Sequence, residues 1–305
     1  MAFHSVEKLL AGGEALPLWK RIQVEDCADS GVDEAASWAK MSELWRAMQA
    51  TQADYDPARR SPSGLTGGAG ALLEGPGSGL CSPFLRQVIA AALKAGECNA
   101  CMRRVVAAPT AGASGVLPAV LIPLQARDGI SDETMVEALY VAAGFGQVIA
   151  QRASISGAEG GCQAEVGSAS AMAAAALVQV KKGSGAQMAQ ACALALSNTL
   201  GLVCDPVGGL VEVPCVTRNV MGAVNAISCA EMALSGVSSP IPCDEVIDAM
   251  GAVGVALPSA LRETGQGGLA ATPTGRAVKA GMSSCKKKQR TLTIKDARWK
   301  LEKES

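Results

Sequence analysis

The chemistry this sequence most plainly offers is carried by three cysteines. Cys162 lies in Gly161-Cys162-Gln163-Ala164-Glu165-Val166-Gly167, Cys204 opens Cys204-Asp205-Pro206-Val207-Gly208-Gly209, and Cys215 follows Val213-Pro214. Cys162 and Cys215 sit in Gly/Pro turns, and Cys204 is expected to end an apolar helical run. Thiolates on such loops can converge on one point, and cysteine thiolates are the usual protein ligands of iron–sulfur clusters. Three of them would leave one iron without a protein ligand. The spacing alone does not decide this. C-x10-C with a distant third cysteine follows no general metal rule, and free cysteine is among the most buried residue types. On composition, ordinary core packing is the weightier reading.

Groups that could move a proton near these cysteines are few. The single histidine is His4, far from the cysteine segments. No lysine lies between Ala95 and Val180 or between Gly183 and Val278, which argues against a Schiff-base lysine of the pyridoxal-phosphate type. The carboxylates in the same stretch are Glu165, Asp205 and Glu212. Glu165 is the leading candidate for a catalytic base, with a scaffolding role its equal alternative. Asp205 and Glu212 read more as groups that bond backbone N–H. Cys98-Asn99-Ala100-Cys101 is the one C-x-x-C of the chain. It has neither a thioredoxin-like strand before it nor a second C-x-x-C, so a structural role is expected.

Two loops of small and hydroxyl residues could receive a small polar substrate. Leu65-Thr66-Gly67-Gly68 offers backbone N–H groups of the kind that bind anions. Ala108-Pro109-Thr110-Ala111-Gly112-Ala113-Ser114-Gly115 leads into the apolar run 116–124 and could present groups at a helix start. Glu263 through Gly275 repeats the mixture of hydroxyls and glycines and could line a pocket.

The elements that must position these loops read as helices throughout. Asp33 should cap a helix over 34–51, with Trp38, Met41, Trp45 and Met48 on one face. Ser82-Pro83 opens another, expected to stop at Gly96. Further helices are expected over 132–152, from Gln163 to about Lys182, and over 186–203, 216–234 and 243–257. The Ala-rich segment 171–180 is apolar on nearly every face and should be buried. Period-two alternation is scarce, so the expected fold is mainly α-helical, with buried Ala-rich helices and Gly/Pro-rich loops. Three regions are expected: a more polar helical region at 1–60, a main domain at 61–280 and a basic tail at 281–305.

The bulk numbers agree with one sizeable core. The chain has 305 residues, 49% hydrophobic and 18% charged, but only 3% aromatic and 34 glycines, so its core must be built from small and aliphatic side chains. The net charge of −1 argues against nucleic-acid binding. Residues 286–305 hold eight Lys/Arg against three Asp/Glu and read as a solvated, partly disordered appendage. Eleven cysteines is an odd count in a chain too long for a disulfide scaffold. With no secretory signal in the first residues and no apolar run of 18, a cytoplasmic protein with free thiols and no membrane span is expected.

Leu65-Thr66-Gly67-Gly68, the loop 108–115, Ser154-Ile155-Ser156-Gly157 and the longer runs 161–175, 201–215 and 265–275, in that order, resemble the alpha chain of bacterial iron–sulfur-dependent L-serine dehydratases (L-serine ammonia-lyases). The resemblance spans roughly residues 60–280. It implies a helical catalytic domain around a [4Fe-4S] cluster whose three cysteine positions match Cys162, Cys204 and Cys215. It implies β-elimination of hydroxide from L-serine to give pyruvate and ammonia, without pyridoxal phosphate. A separate beta chain is implied as partner. Thr66, Gly67, Gly68, Thr110, Gly112 and Ser114 in the matched runs, with Asn219 just after the run 201–215, are the candidates for substrate binding. Cys285 could reach an open iron but is not assigned as a ligand. The competing readings are a related iron–sulfur lyase for another β-substituted amino acid such as L-cysteine, a pyridoxal-phosphate dehydratase, and a noncatalytic helical subunit.

Overall fold

The computed structural model describes residues 3–11 and 16–282, and the basic tail lies outside them apart from its first two residues. The described residues are mainly helical: α1 (Val6–Leu10), α2 (Leu18–Ser30), α3 (Glu34–Ala53), α4 (Ala69–Leu72), α5 (Pro83–Ala100), α6 (Val116–Asp128), α7 (Asp132–Arg152), α8 (Gly157–Gly160), α9 (Ser168–Val180), α10 (Gly185–Ser197), α11 (Cys215–Leu234) and α12 (Cys243–Ala256). A last helical run occupies 273–282. The one piece of strand-like pairing among them is an isolated bridge between Cys204 and Arg262.

Local signals account for most helix starts. Asp33 accepts a bond from Ala36 N at 2.8 Å to open α3, and Ser82 with Pro83 opens α5. Ser131 caps α7, while Ser184 and Gln187 form a reciprocal capping box on α10. In the centre, α9 is surrounded by α6, α7, α10 and α11. Ala169, Ala171 and Ala173 through Ala176 are wholly buried, so these helices approach with methyl groups between them. Trp45 and Met48 of α3 are buried in the same core, and Trp38 and Met41 pack partly buried against it. Leu9, Leu18 and Ile22 join this core as well, so the helices before residue 60 pack with those of the middle of the chain.

Two helix ends differ from expectation. Helix α5 runs through Gly96 to Ala100. A methyl on Gly96 would lie 3.2 Å from the Val216 Cα, so this glycine serves the approach of α11 instead of ending the helix. Helix α10 stops at Ser197 instead of near residue 203. Ser197 and Thr199 turn their hydroxyls back onto the carbonyls of Ala193, Ala195 and Leu196, and Gly201 adopts φ +84°. Cys204 therefore sits in extended backbone, not at a helix end: its N–H donates to Leu261 O at 2.8 Å and its carbonyl accepts from Glu263 N at 2.8 Å.

Candidate active site

The cysteine-bearing segments meet because polar clamps bolt them together. Directly after Cys162 the chain makes a π turn, Gln163–Gly167, which runs on into α9. Such turns, with their wider spacing, occur often at functional sites. Gln163 is wholly buried and clamps three segments: its N–H donates to Leu202 O at 3.0 Å, its amide donates to Met250 O at 3.1 Å, and its amide oxygen accepts from Gly201 N at 2.8 Å. Cys162 is thereby fixed against the loop that carries Cys204. Cys162 Sγ, Cys204 Sγ and a Glu165 carboxylate oxygen all lie within 4.8 Å of one another. Cys215 is the first residue of α11 and is buried.

The site is charged as well as sulfur-rich. Arg218 donates from Nη1 to Cys162 Sγ at 3.2 Å and to Val203 O at 2.7 Å, and from Nη2 to Asp205 Oδ1 at 2.8 Å. Asp205 in turn accepts from Leu269 N at 2.7 Å, which ties in the glycine-rich segment after residue 263. The Cys204 thiol donating to Cys162, with Arg218 beside it, holds the Cys162 thiol below its ordinary range and pushes Cys204 up. Burial, with the charges of Cys162 and Glu165 adding, pushes the Cys215 thiol up to about 12. Burial also raises Glu165, helped by the charge of Glu263 and opposed by Thr110 and Arg218.

Glu165 faces the loop before α6. Thr110 Oγ1 donates to Glu165 Oε1, and a methyl on Gly112 would lie 2.6 Å from that same oxygen. Asn219 is buried and fully engaged: it donates to the carbonyls of Gly112 at 2.8 Å and Cys215 at 2.9 Å, and accepts from Gly115 N at 2.8 Å. It therefore pins the Thr110 loop to the helix that carries Cys215. Ser114 Oγ is buried without a hydrogen-bond partner among the described residues. On the other side, a methyl on Gly157 would lie 3.1 Å from Cys204 Sγ, 3.3 Å from Glu263 Oε2 and 3.5 Å from Glu165 Oε2. The absent side chain at Gly157 is what leaves these three groups a common space.

Thr66, Gly67 and Gly68 are tied elsewhere. The N–H groups of Gly67, Ala69 and Gly70 donate to the buried Glu97 carboxylate at 3.1, 2.9 and 3.1 Å, and Tyr55 donates its hydroxyl to the same group. Glu212 accepts from Ser61 Oγ at 2.6 Å and from Ser63. These bonds strap the loop against the segment leading to Cys215, with Thr66, Gly67, Glu212 and Val216 around a cavity of about 210 Å³. Thr66 Oγ1 is buried and without a partner among the described residues. The anion that Gly67 meets is thus the protein's own Glu97. Cys98 and Cys101 are buried at the end of α5, with Cys98 Sγ donating to Thr51 O at 3.6 Å, apart from the three-cysteine site.

The alpha-chain profile of serine dehydratases matches residues 13–270. The chain belongs to the serine dehydratase alpha-chain family. A protein of Bacillus subtilis (strain 168) named a probable L-serine dehydratase, alpha chain, is 55% identical over 219 residues, covering 71% of this chain and 73% of its own length. One of the same name from Latilactobacillus sakei is 54% identical over 196 residues, 64% of this chain and 94% of its own. The L-serine dehydratase alpha chain of Peptoniphilus asaccharolyticus is 48% identical over 203 residues, 67% of this chain and 70% of its own. The family match takes in α2 and α3 as well as Cys162, Cys204, Cys215, Glu165, Arg218 and the Thr66 and Thr110 loops.

Sequence reasoning passed over four residues of this alpha-chain site. Arg218 lies one turn after Cys215, in a stretch free of lysine. Glu97 was hidden beside the C-x-x-C. Gly157 ends a short matched run, and Glu263 opens the segment 263–275, two residues before the last one. None of the four carries a local signal of its role, since each is defined by what folds against it.

Proposed function

We propose that this chain is the catalytic alpha chain of an L-serine dehydratase, which eliminates hydroxide from L-serine and releases pyruvate and ammonia. The observation that carries this is the convergence of Cys162, Cys204 and Glu165, with Cys215 at the adjoining helix start, in a chain of the serine dehydratase alpha-chain family. The donor set fits a [4Fe-4S] cluster. Soft thiolates suit iron–sulfur centres, all three cysteines are buried, and a fixed guanidinium offsets their negative charge. Cys162, Cys204 and Cys215 would hold it, and when bound it supplies a Lewis acid for the departing hydroxyl.

The remaining work falls to the chain's own side chains. Glu165 is the base that takes the α-proton of serine at its Oε2, while Oε1 stays bonded to Thr110. Its burial raises its proton affinity toward working pH, which suits a general base. Gly112 and Gly157 keep room around that carboxylate for a small amino acid. Loss of the proton and hydroxide leaves an enamine, which tautomerises to an imine, and water then displaces ammonia to give pyruvate. Thr110 and Gly112 stand against the Glu165 carboxylate, Asn219 pins their loop and Ser114 lies on it, whereas Thr66 and Gly67, with Gly68 beside them, belong to the cavity next to Glu212 and Val216. On the Thr110 loop, the Ser114 hydroxyl is buried without a partner among the described residues and so has hydrogen-bonding capacity left for substrate.

A beta chain as partner and a cytoplasmic setting complete the proposal. Three relatives carry the name alpha chain. No helix among the described residues is long and apolar enough to cross a membrane, and the ten described cysteines are all free thiols, as in a reducing compartment. The test is anaerobic turnover with L-serine, L-threonine, L-cysteine and D-serine, with and without a beta chain. L-serine should be preferred and the beta chain should raise turnover. Cys162→Ala, Cys204→Ala and Cys215→Ala should each lose iron and activity, while Cys98→Ala and Cys101→Ala keep both. Iron retained by all three of the first set would sink the ligand assignment.

A further inference from the structure

One guanidinium touches every segment that carries a cysteine of the site. Arg218 stands one helical turn after Cys215 on α11. Its Nη1 reaches Cys162 Sγ at 3.2 Å. The same nitrogen bonds Val203 O, and Nη2 bonds Asp205 Oδ1, so the residues on either side of Cys204 are both held. The side chain is only 14% exposed and that of Asp205 only 4%. A planar fork can reach these acceptors at once, and a lysine ammonium cannot match that geometry.

We propose that Arg218 is a positioning residue for the metal centre: it sets the three cysteine segments in register and fixes the electrostatic potential at the sulfur of Cys162. Resting on the cluster reading above, it goes further by assigning a role to a residue that is itself no ligand. Hydrogen bonds to sulfur and local net charge set the reduction potential of iron–sulfur centres. A buried positive charge within hydrogen-bond distance of one ligand sulfur favours the more negative, reduced state. Asp205 opposes part of that charge. Removing Arg218 therefore lowers the potential, and removing the charge of Asp205 raises it. A residue that merely filled space would give neither sign.

The experiment uses the full chain reconstituted anaerobically with iron and sulfide, and compares Arg218→Met, Arg218→Lys and Asp205→Asn with wild type. Iron and sulfide are counted, helicity is read by circular dichroism, and the potential is followed by spectroscopy during reductive titration. Arg218→Met is expected to keep its helicity, hold several-fold less iron, and shift the oxidised-to-reduced equilibrium about tenfold, a fall of about 59 mV for a one-electron couple. Arg218→Lys should recover the potential but not the full iron content, and Asp205→Asn should shift the potential upward. A folded Arg218→Met chain without iron, whose iron Arg218→Lys restores, is the same result in its extreme form. An unchanged potential in Arg218→Met overturns the proposal. So does iron missing from both Arg218 variants, a Lys variant with a potential as low as Met, or loss of helicity in the Met variant. If wild type itself takes up no cluster, the cofactor reading fails before any variant is compared, which separates the two failures.

Discussion

Glu97 makes the sharpest stability prediction. Glu97 is 2% exposed, and its carboxylate receives four donors: Gly67 N and Ala69 N on Oε1, Gly70 N and the Tyr55 hydroxyl on Oε2. Glu97→Gln keeps the size but replaces one acceptor oxygen with an NH2. If the amide oxygen stays on the Gly67 and Ala69 side, its nitrogen faces Gly70 N, donor against donor. The Tyr55 hydroxyl can rotate to accept, but the Gly70 N–H cannot. One buried unpaired donor costs about 1–3 kcal/mol, and the remaining bonds lose their charge assistance. A loss of about 2 kcal/mol corresponds to a fall in Tm of about 4–8 °C at roughly 2–4 °C per kcal/mol. Tyr55→Phe removes one of the four donors and leaves the three backbone bonds intact, so it should cost about 1.5 kcal/mol, the low end for a bond to a charged group. Scanning calorimetry of the full chain measures both. A Glu97→Gln chain melting within about 1 °C of wild type, or a Tyr55→Phe chain less stable than it, would refute the claim that this carboxylate holds the Thr66 loop.

Gly112→Ala places a methyl against Glu165 Oε1 and should lower kcat/KM at least about tenfold, equivalent to roughly 1.4 kcal/mol, whereas an unchanged value would mean that Glu165 moves aside freely. Asp132, bonded by Gln125, Trp45 and Gln49, is held below its ordinary 3.8, so its stabilising effect is present above that pH and lost as pH falls through the lowered value. The Tm difference between wild type and Asp132→Asn should accordingly be widest near neutral pH and close on acidification below about 4, and a gap that widened in acid would contradict the sign. Glu165→Gln should leave iron content near that of wild type while reducing turnover with L-serine by about a hundredfold or more, as removal of a general base does. Iron lost together with activity would make Glu165 a ligand instead.

What could be read from the sequence was whatever depends on neighbours in the chain. The cap at Asp33, the Ser82-Pro83 start, the tryptophan face of α3 and the buried alanines of α9 are all local or periodic signals. The stop expected at Gly96 failed because a glycine that lets another helix approach looks, in sequence, like one that ends a helix. The end of α10 was missed because hydroxyls folding back onto carbonyls are weak signals beside an apolar run. Gly67 shows the limit most clearly: an anion-binding backbone could be inferred, but the anion sits 30 residues away on α5. Arg218 was invisible for the same reason, since its meaning lies in contacts with Cys162, 56 residues distant.

The alanine-filled centre of α9 has a consequence for how variation in this family should be interpreted. Four helices close around methyl groups there, so an added methylene has nowhere to go, and overpacking costs about 1–3 kcal/mol. Alanine is also the best helix former, so replacing it by glycine weakens the same segment by about 1 kcal/mol. Drift is blocked in both directions by sterics and propensity alone. Residues 169–176 should therefore vary among relatives as little as the cysteines do, although none of the alanines touches a reacting atom. Invariance in that helix would mark closeness of packing, and a search for catalytic residues guided by invariance would be drawn to the part of the chain that does no chemistry.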